Sequence, residues 1–583
     1  MAAAPSRTDQ RIILHFDYDC FYASVFEVEQ PILKSLPLAV QQKQIVVTCN
    51  YEARRRGLHK LQLIKEAKQV CPDVVIILGE DLTKFRDASK DLYLFLRRFV
   101  WGERVEKLGF DEIFIDVTDV ITYNAALLNP NDLTHSFFHL DRQDPTVGFD
   151  FDATVIYGPT YPDGADNTAR LGSEAEVGPS DLHLRLLLAS HLAGYLRGQL
   201  EDKKGYTATA GISTSKLLAK LAGTVHKPNS QTTLLPPYAT RNDGEESNVL
   251  NFLDSCQIRA IPGIGSKLSS KIRSYIAASG YAKGEDEPTV RDIRLWPGMG
   301  PSLLDRILGG PGAPRDIGVR VWELLHGVDN TQVAEARDVP TQISIENSYR
   351  SLDNFEASRK EMLALAASLI RRMRTDLTEK YTESEVEASD TVREGVERHQ
   401  RSRIRWLARP RTLRLSTLPR SIPGSEGARS YSRMSHSASL PQYIFNLDES
   451  ADSLAERLVR ELTTSMFRKL HREQSGWNLR VLNLAVTNMV DVAGKQKSGR
   501  DIGKMLQPQE LVPKDRFPAP EPGGMRSETD APQSTLARAS EAAWEESDEE
   551  DIMPGVHCNT CGALIPHFAR VAHQVYHSSC SQE

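Results

Sequence analysis

The chain has 583 residues, 40% of them hydrophobic and 26% charged, a composition that excludes a mostly disordered or fibrous protein. At a typical domain size near ~150 residues, this length implies about three or four folding units. The formal net charge of −7 argues against a uniformly basic nucleic-acid binder, yet residues 398–433 hold ten Arg and one acid, Glu426, while 541–551 (EAAWEESDEED) is nearly all acidic, so the average hides a basic body behind an acidic tail.

Between 11 and 119, short apolar runs (RIILHF, QIVVTC, DVVIIL, EIFIDV) alternate with helical stretches such as 83–100, which predicts a sheet in an α/β or α+β fold. Alternation in RIILHFDYD puts His15, Asp17 and Asp19 on one face and Ile12, Leu14 and Phe16 on the other. The helix-like CFYASVFEVEQ follows at once, and its free N–H groups and positive dipole end suit a phosphate chain beside the two carboxylates. A second acidic pair, Asp111 and Glu112, lies in KLGFDEIFIDVTD between two β-like runs, where Gly109 permits a bend. Four hard oxygen donors with no soft ligand point to Mg²⁺, which lowers the pKa of an attacking hydroxyl and neutralises a leaving pyrophosphate. From spacing alone, helix caps and solvated strand ends are the plainer reading of all four acids.

Residues 121–180, rich in Asp, Pro, Gly, Asn and Thr, read as an inserted loop, and 181–204 has clean helical periodicity. Short helices separated by Gly and Pro are predicted over 250–335. Two amphipathic helices, 354–379 and 450–472, are each followed by β-like runs, RTLRLST and NLRVLNLAVTNM, predicting a small α+β unit over 338–492. The polar, Pro-rich stretch after 495 reads as a flexible tether. It ends in HCNTCGALIPHFARVAHQVYH, where Cys558, Cys561, His573 and His577 have two-Cys two-His zinc spacing and Cys580 or His567 are competing ligands. The other cysteines, Cys20, Cys49, Cys71 and Cys256, form no disulfide-like framework, so a reducing compartment is expected. The longest apolar stretch, LRLLLASHLAGYL, is interrupted by Arg185, Ser190 and His191, so no membrane segment is expected.

FDYDCFYASV resembles the signature of the Y-family, the lesion-bypass DNA polymerases, and LGFDEIFIDVT resembles that family's second acidic motif. The resemblance implies that Asp17, Asp111 and Glu112 are the catalytic, metal-binding carboxylates, with the Tyr18 carbonyl as a backbone ligand and two Mg²⁺ ions, or Mn²⁺, as cofactors. Glu112 would lie nearest the primer 3′-hydroxyl. Cys20 and Phe21 would line the nucleotide site, and Tyr22 would be the steric gate that rejects a 2′-hydroxyl. VVTCNYEARRRG and VHKPNSQTTLLP resemble two further segments of the family, by which Tyr51, Arg54 and Lys227 would bind the incoming triphosphate, a task suited to a forked guanidinium and a compact ammonium. VQQKQIVVTCNYEARRRG is similar to one low-fidelity branch, in which Gln42, Lys43 and Ile45 would lie over the templating base. IRAIPGIGSKLSSKI resembles a helix-hairpin-helix, with Gly263, Gly265 and Lys267 against a DNA phosphate. CGALIP and the segment to His577 resemble the ubiquitin-binding zinc fingers of translesion polymerases.

The architecture implied is an α+β multidomain right hand. Its palm would span 10–37 and 98–248, interrupted by the insertion at about 121–180, with fingers at 38–97 and a thumb at 249–335. A little finger at 338–495, an acidic linker at 496–553 and a Zn²⁺ finger at 554–583 would follow. The expected activity is low-fidelity, nucleotidyl-transferring translesion synthesis on primed template DNA with deoxynucleoside triphosphates, without proofreading, in the nucleus. Recruitment would run through ubiquitin or a ubiquitinated sliding clamp. The rival reading is a non-catalytic adaptor that binds DNA and ubiquitin at stalled forks.

Overall fold

The computed structural model describes residues 5–163, 181–240, 247–278, 287–310, 312–337, 339–382, 402–420, 433–473, 475–492, 555–557 and 564–566. They fall into two compact units, one of Met1–Ala336 with Ala542–Glu583 and one of Arg337–Glu541.

The first unit is built on β1 (Ile13–Tyr18). Its alternation separates two faces, and both are covered: Leu14 and Phe16 join the main core, while Ile13 packs with Phe114, Ala219 and Val333. At Cys20 the backbone takes φ 48° and turns directly into α1 (Phe21–Glu29). Next come β2 (Leu38–Gln42), β3 (Ile45–Cys49), α2 (Tyr51–Arg55), α3 (Ile64–Val70) and β4 (Val75–Leu78). They form a three-stranded sheet, β3-β2-β4, with its own small core of Ala39, Val46, Cys49, Ala53, Leu58, Ala67 and Cys71.

α4 (Thr83–Arg97) buries Phe85, Leu92 and Leu96 and leads into the hairpin of β5 (Val105–Leu108) and β6 (Glu112–Asp116). The stretch expected to be an inserted loop is largely structured: α5 (Thr118–Leu127), β7 (Ser136–His139), β8 (Gly148–Phe151) and β9 (Thr160–Tyr161) precede α6 (Asp181–Lys204). Its turn-rich composition concealed a stack of rings, Phe138 on Phe149 at 5.0 Å and Phe149 on Tyr195 at 4.3 Å, which fastens the hairpin to α6. β10 (Ala208–Ser213), α7 (Lys216–Ala222) and β11 (Gln231–Leu234) complete a six-stranded sheet, β5-β6-β1-β10-β11-β9, parallel only from β10 to β9. α7 lies so close to β10 that a Cβ on Gly211 would meet the Ala219 carbonyl at 1.9 Å, so glycine is required there.

Five helices follow: α8 (Asn248–Asp254), α9 (Ser266–Ala278), α10 (Val290–Arg294), α11 (Pro301–Leu308) and α12 (Ile317–Leu325). Arg294 clasps Asp254 with bonds of 2.9 and 2.7 Å, tying α10 to α8. The chain then returns along the sheet, where Arg11 donates to the carbonyls of Thr331 and Asp329, and the Asp329 carboxylate accepts from Leu217 N–H at the start of α7.

The second unit comprises β12 (Ile343–Asn354), α13 (Phe355–Asp376), β13 (Thr378–Thr382), β14 (Ser402–Trp406), β15 (Ala408–Pro419), β16 (Met434–Ser439), α14 (Ala451–Leu458), α15 (Thr464–Leu470) and β17 (Ser475–Asp491). The sheet runs β12-β17-β15-β16, antiparallel throughout, and β13 and β14 make a separate hairpin. One helix was expected over 450–472; a π turn at Val459–Thr463 divides it into α14 and α15. Across the sheet Glu346, Asn483, Ser416 and Ser435 fall in register as a polar row, while Leu415 and Leu484 in the next row join the core with Met362, Leu369 and Phe467. Near the C-terminus only β18 (Gly555–His557) and β19 (Leu564–Pro566), an antiparallel pair, are described.

Candidate active site

β1 and β6 lie antiparallel with Asp17 opposite Glu112, and Tyr18 N–H donates to the Asp111 carbonyl at 2.8 Å. That register brings Asp17 to the adjacent pair Asp111 and Glu112 from a distant part of the sequence. Gly109, at φ 70°, makes the turn between β5 and β6 that seats Asp111 at the tip and Glu112 at the strand start. Ser89 of α4 holds the turn by donating to the Phe110 carbonyl. The Tyr18 ring is buried, so its backbone is the part left to serve the site.

Each strand carboxylate meets a lysine. Lys227 donates to Asp17, and Lys220 of α7 lies 2.6 Å from Glu112. Burial opposes ionisation of Glu112, but the His15 ring, 3.9 Å away, and Lys220 outweigh it and hold the carboxyl at about 2. Asp111 differs. Its outer edge is open to solvent, yet the protein around it, then Asp17 and Glu112, push its carboxyl up to about 6 against the opposing charge of Lys227. Three carboxylates facing two ammonium groups leave an excess of negative charge on hard oxygen donors, which fits a divalent cation in chemical kind. In this arrangement no three His, Cys, Asp or Glu side chains among the described residues converge closely enough to enclose one ion.

Of the residues expected on the nucleotide side, Phe21 and Tyr22 lie on α1 just after Cys20, and Tyr51 and Arg54 on α2. Tyr22 packs at a tilt against Phe85 with centroids 4.3 Å apart and stands 6.3 Å from the Phe110 ring, close enough to Asp111 that burial and then this carboxylate raise its hydroxyl pKa. Phe21 is buried, and burial pushes the Cys20 thiol up to about 12, which makes it a packing group rather than a nucleophile. Arg54 lies 4.6 Å over the Tyr51 ring and donates to the Cys49 carbonyl at 3.2 Å. Burial, followed by Asp19, pushes the Tyr51 hydroxyl up to about 12.

Sequence reasoning missed the residue that holds this pair. Asn50 caps α2 by accepting from Ala53 N–H at 2.9 Å, also accepts from Leu38 N–H, and donates to Glu27, Leu33 O and Leu36 O. An Asn just before a helix-forming run was the available signal. Lys220 was also missed; its four-residue spacing from Lys216 on an apolar helix was a weak sign, since Lys216 instead pairs with Glu106 at 2.9 Å.

Gln42, Lys43 and Ile45 sit at the β2–β3 hairpin, with Gln42 donating to Gly79 O at 2.7 Å and Lys43 at φ 52° in the turn. Gly263, at φ 89°, Gly265 and Lys267 are exposed where the chain enters α9, over buried Ile261 and Ile264. Cys558, Cys561, His573 and His577, and the rivals His567 and Cys580, lie outside the described residues.

Residues 16–224 match the impB/mucB/samB family, a stretch holding every acid of the site together with Tyr22, Tyr51 and Arg54. The matched stretch is similar to the Y-family domain. It is 32% identical to DNA polymerase iota of Homo sapiens over 372 residues, covering 64% of this chain and 42% of that protein. It is 39% identical to DNA polymerase iota of Drosophila melanogaster over 262 residues, covering 45% and 30%. To DNA polymerase IV of Pasteurella multocida it is 25% identical over 370 residues, covering 63% and 78%. The chain thus spans less than half the length of the human and fly relatives it matches. No helix among the described residues is long and apolar enough to cross a membrane.

Proposed function

We propose that this chain is a DNA-directed DNA polymerase of the low-fidelity, translesion type, similar in activity to its iota relatives and acting on nuclear DNA. The observation that carries this reading is the meeting of Asp17, Asp111 and Glu112 at one end of β1 and the β5–β6 turn, with Tyr22, Tyr51, Arg54 and Lys227 around them. Asp17, Asp111, Glu112 and the Tyr18 carbonyl would hold two Mg²⁺ ions, or Mn²⁺, which when bound activate the primer 3′-hydroxyl and neutralise the departing pyrophosphate.

The residues of the chain would do the rest. Lys227 and Arg54 would bind the triphosphate, with Tyr51 beneath Arg54 limiting its swing. Tyr22, fixed on Phe85, would meet the sugar from below and exclude a 2′-hydroxyl. Glu112, kept ionised, would face the primer end. The primer oxygen would then attack the α-phosphorus as the bond to pyrophosphate breaks. Gln42, Lys43 and Ile45 would crowd the templating base. In right-hand terms the six-stranded sheet would be the palm, the β3-β2-β4 sheet the fingers, the helices after 249 the thumb and the second unit the little finger. The exposed entry to α9 at Gly263, Gly265 and Lys267 supports contacts to DNA that read no sequence. The C-terminal Cys and His residues would bind Zn²⁺ and recruit the enzyme through ubiquitin.

The test is primer extension by the purified chain across an abasic template site, with Mg²⁺ or Mn²⁺. Extension past the lesion supports the reading. Retention of DNA and ubiquitin with no extension under either metal would leave the adaptor instead.

A further inference from the structure

The second acid of the FDYD run takes no part in the cluster of lysine-paired carboxylates. Asp19 is 5% exposed; its Oδ1 accepts from the Thr209 hydroxyl at 3.0 Å, and its Oδ2 from the Asn229 backbone N–H at 2.9 Å. Asn229 stands two residues after Lys227 and adopts φ 41°. Its side chain is gripped from α6: Arg197 donates to Asn229 Oδ1 at 2.6 Å and to the Ala208 carbonyl at 2.9 Å, while Glu201 accepts from Asn229 Nδ2 at 3.4 Å. The loop bearing Lys227 is therefore fastened at its backbone by Asp19 and at a side chain by Arg197, and Lys227 reaches Asp17 from it.

Resting on the polymerase reading above, we propose that Asp19 and Arg197 are positioning residues that fix the Lys227 loop, and so set its grip on the incoming triphosphate, rather than ligands of a metal or groups that touch substrate. Both Asp19 oxygens are already engaged by the protein, and a buried acceptor of two hydrogen bonds gives them up only at a cost. Losing either fastening frees the loop, so Lys227 must be ordered each time a nucleotide binds, and the loss falls on nucleotide affinity.

The chemistry distinguishes positioning from metal ligation. In Asp19→Asn, the amide oxygen can still accept from Asn229 N–H and the amide nitrogen can donate to the Thr209 hydroxyl, so the fastening survives while an anionic ligand is lost. Steady-state incorporation on primed DNA by the full chain should give an Asp19→Ala variant whose KM for the deoxynucleotide rises about tenfold while kcat and the Mg²⁺ concentration for half-maximal rate stay within about threefold. Asp19→Asn should remain within about threefold of the parent on all three. Arg197→Ala should repeat the rise in KM, and decides the matter if thermal melting shows that Asp19→Ala does not fold. An unchanged KM in the folded variants, or an Asp19→Asn that fails with a raised Mg²⁺ requirement, overturns the proposal. An inactive parent chain would instead overturn the polymerase reading itself.

Discussion

Lys227 and Asp17 form a salt bridge across 210 residues of chain, at the strand end where Lys220 holds Glu112. Two lysines thus serve as counter-ions for two of the three acids. The pairing explains why the cluster tolerates being assembled at all, since like charges gathered in a half-buried site oppose folding unless compensated.

Asp111 carries the uncompensated share, and its carboxyl sits at about 6. A carboxyl raised in the folded state binds more protons there than when unfolded. Its contribution to stability is therefore full below about pH 4 and lost as pH rises through about 6. Asp111→Asn is neutral throughout, so in metal-free buffer it should melt higher than the parent at pH 8 and equally near pH 4. The gain should be about 1 kcal/mol or less, because solvent at the open turn screens the effect. Polymerase activity should be lost. Equal melting temperatures at both pH values would mean that Asp111 feels little of its neighbours.

Tyr22 rests on Phe85 at 4.3 Å, which fixes its ring. Tyr22→Ala should lower the ratio of kcat/KM for deoxy- over ribonucleotides at least about tenfold, or about 1.4 kcal/mol, and should cost about 1–2 kcal/mol of stability through the lost ring pair. Tyr22→Phe retains the ring and should keep the discrimination. A ratio unmoved by Tyr22→Ala would show that another side chain guards the sugar.

Asn50 makes five hydrogen bonds while 3% exposed. Asn50→Ala would remove a helix cap and strand buried backbone groups, with an expected cost of about 2–4 kcal/mol in chemical denaturation. With α2 loosened beneath Tyr51 and Arg54, the KM for nucleotide should also rise. A destabilised variant with unchanged KM would limit Asn50 to folding.

The placement of these acids at a strand end and a turn was legible because its signals are local, but spacing alone favoured caps and solvated strand ends, and only the resemblance gave the acids a role. Strand alternation exposed Asp17, and a glycine before two acids marked the β5–β6 turn. The separate surroundings of Asp17 and Asp19 could not be read, since Asp19 is engaged by Thr209 and Asn229, distant in sequence and brought near only by β10 and the loop after α7. The same limit hid the partner of Lys220. The stretch before α6 misled for the opposite reason: turn-forming residues dominate its composition, while its order comes from a few rings stacked on Tyr195 and from β9 pairing with β11. His15 was expected on one strand face with Asp17 and Asp19, and it is packed there 4.8 Å from the Phe114 ring.

Cys558, Cys561, His573 and His577 make a separate prediction. The full chain should carry one zinc ion, and Cys558→Ser/Cys561→Ser should abolish it and weaken capture of ubiquitin, with primer extension unaffected. Undiminished zinc in that double variant would assign the metal to other ligands.

The most direct test of the central claim is addition of one deoxynucleotide to a primer opposite each of the four template bases, by the purified chain and by Asp111→Ala/Glu112→Ala. The account predicts template-dependent addition with pyrophosphate release, and loss of all addition in the double variant. No addition by the parent chain, or undiminished addition by the double variant, would contradict it.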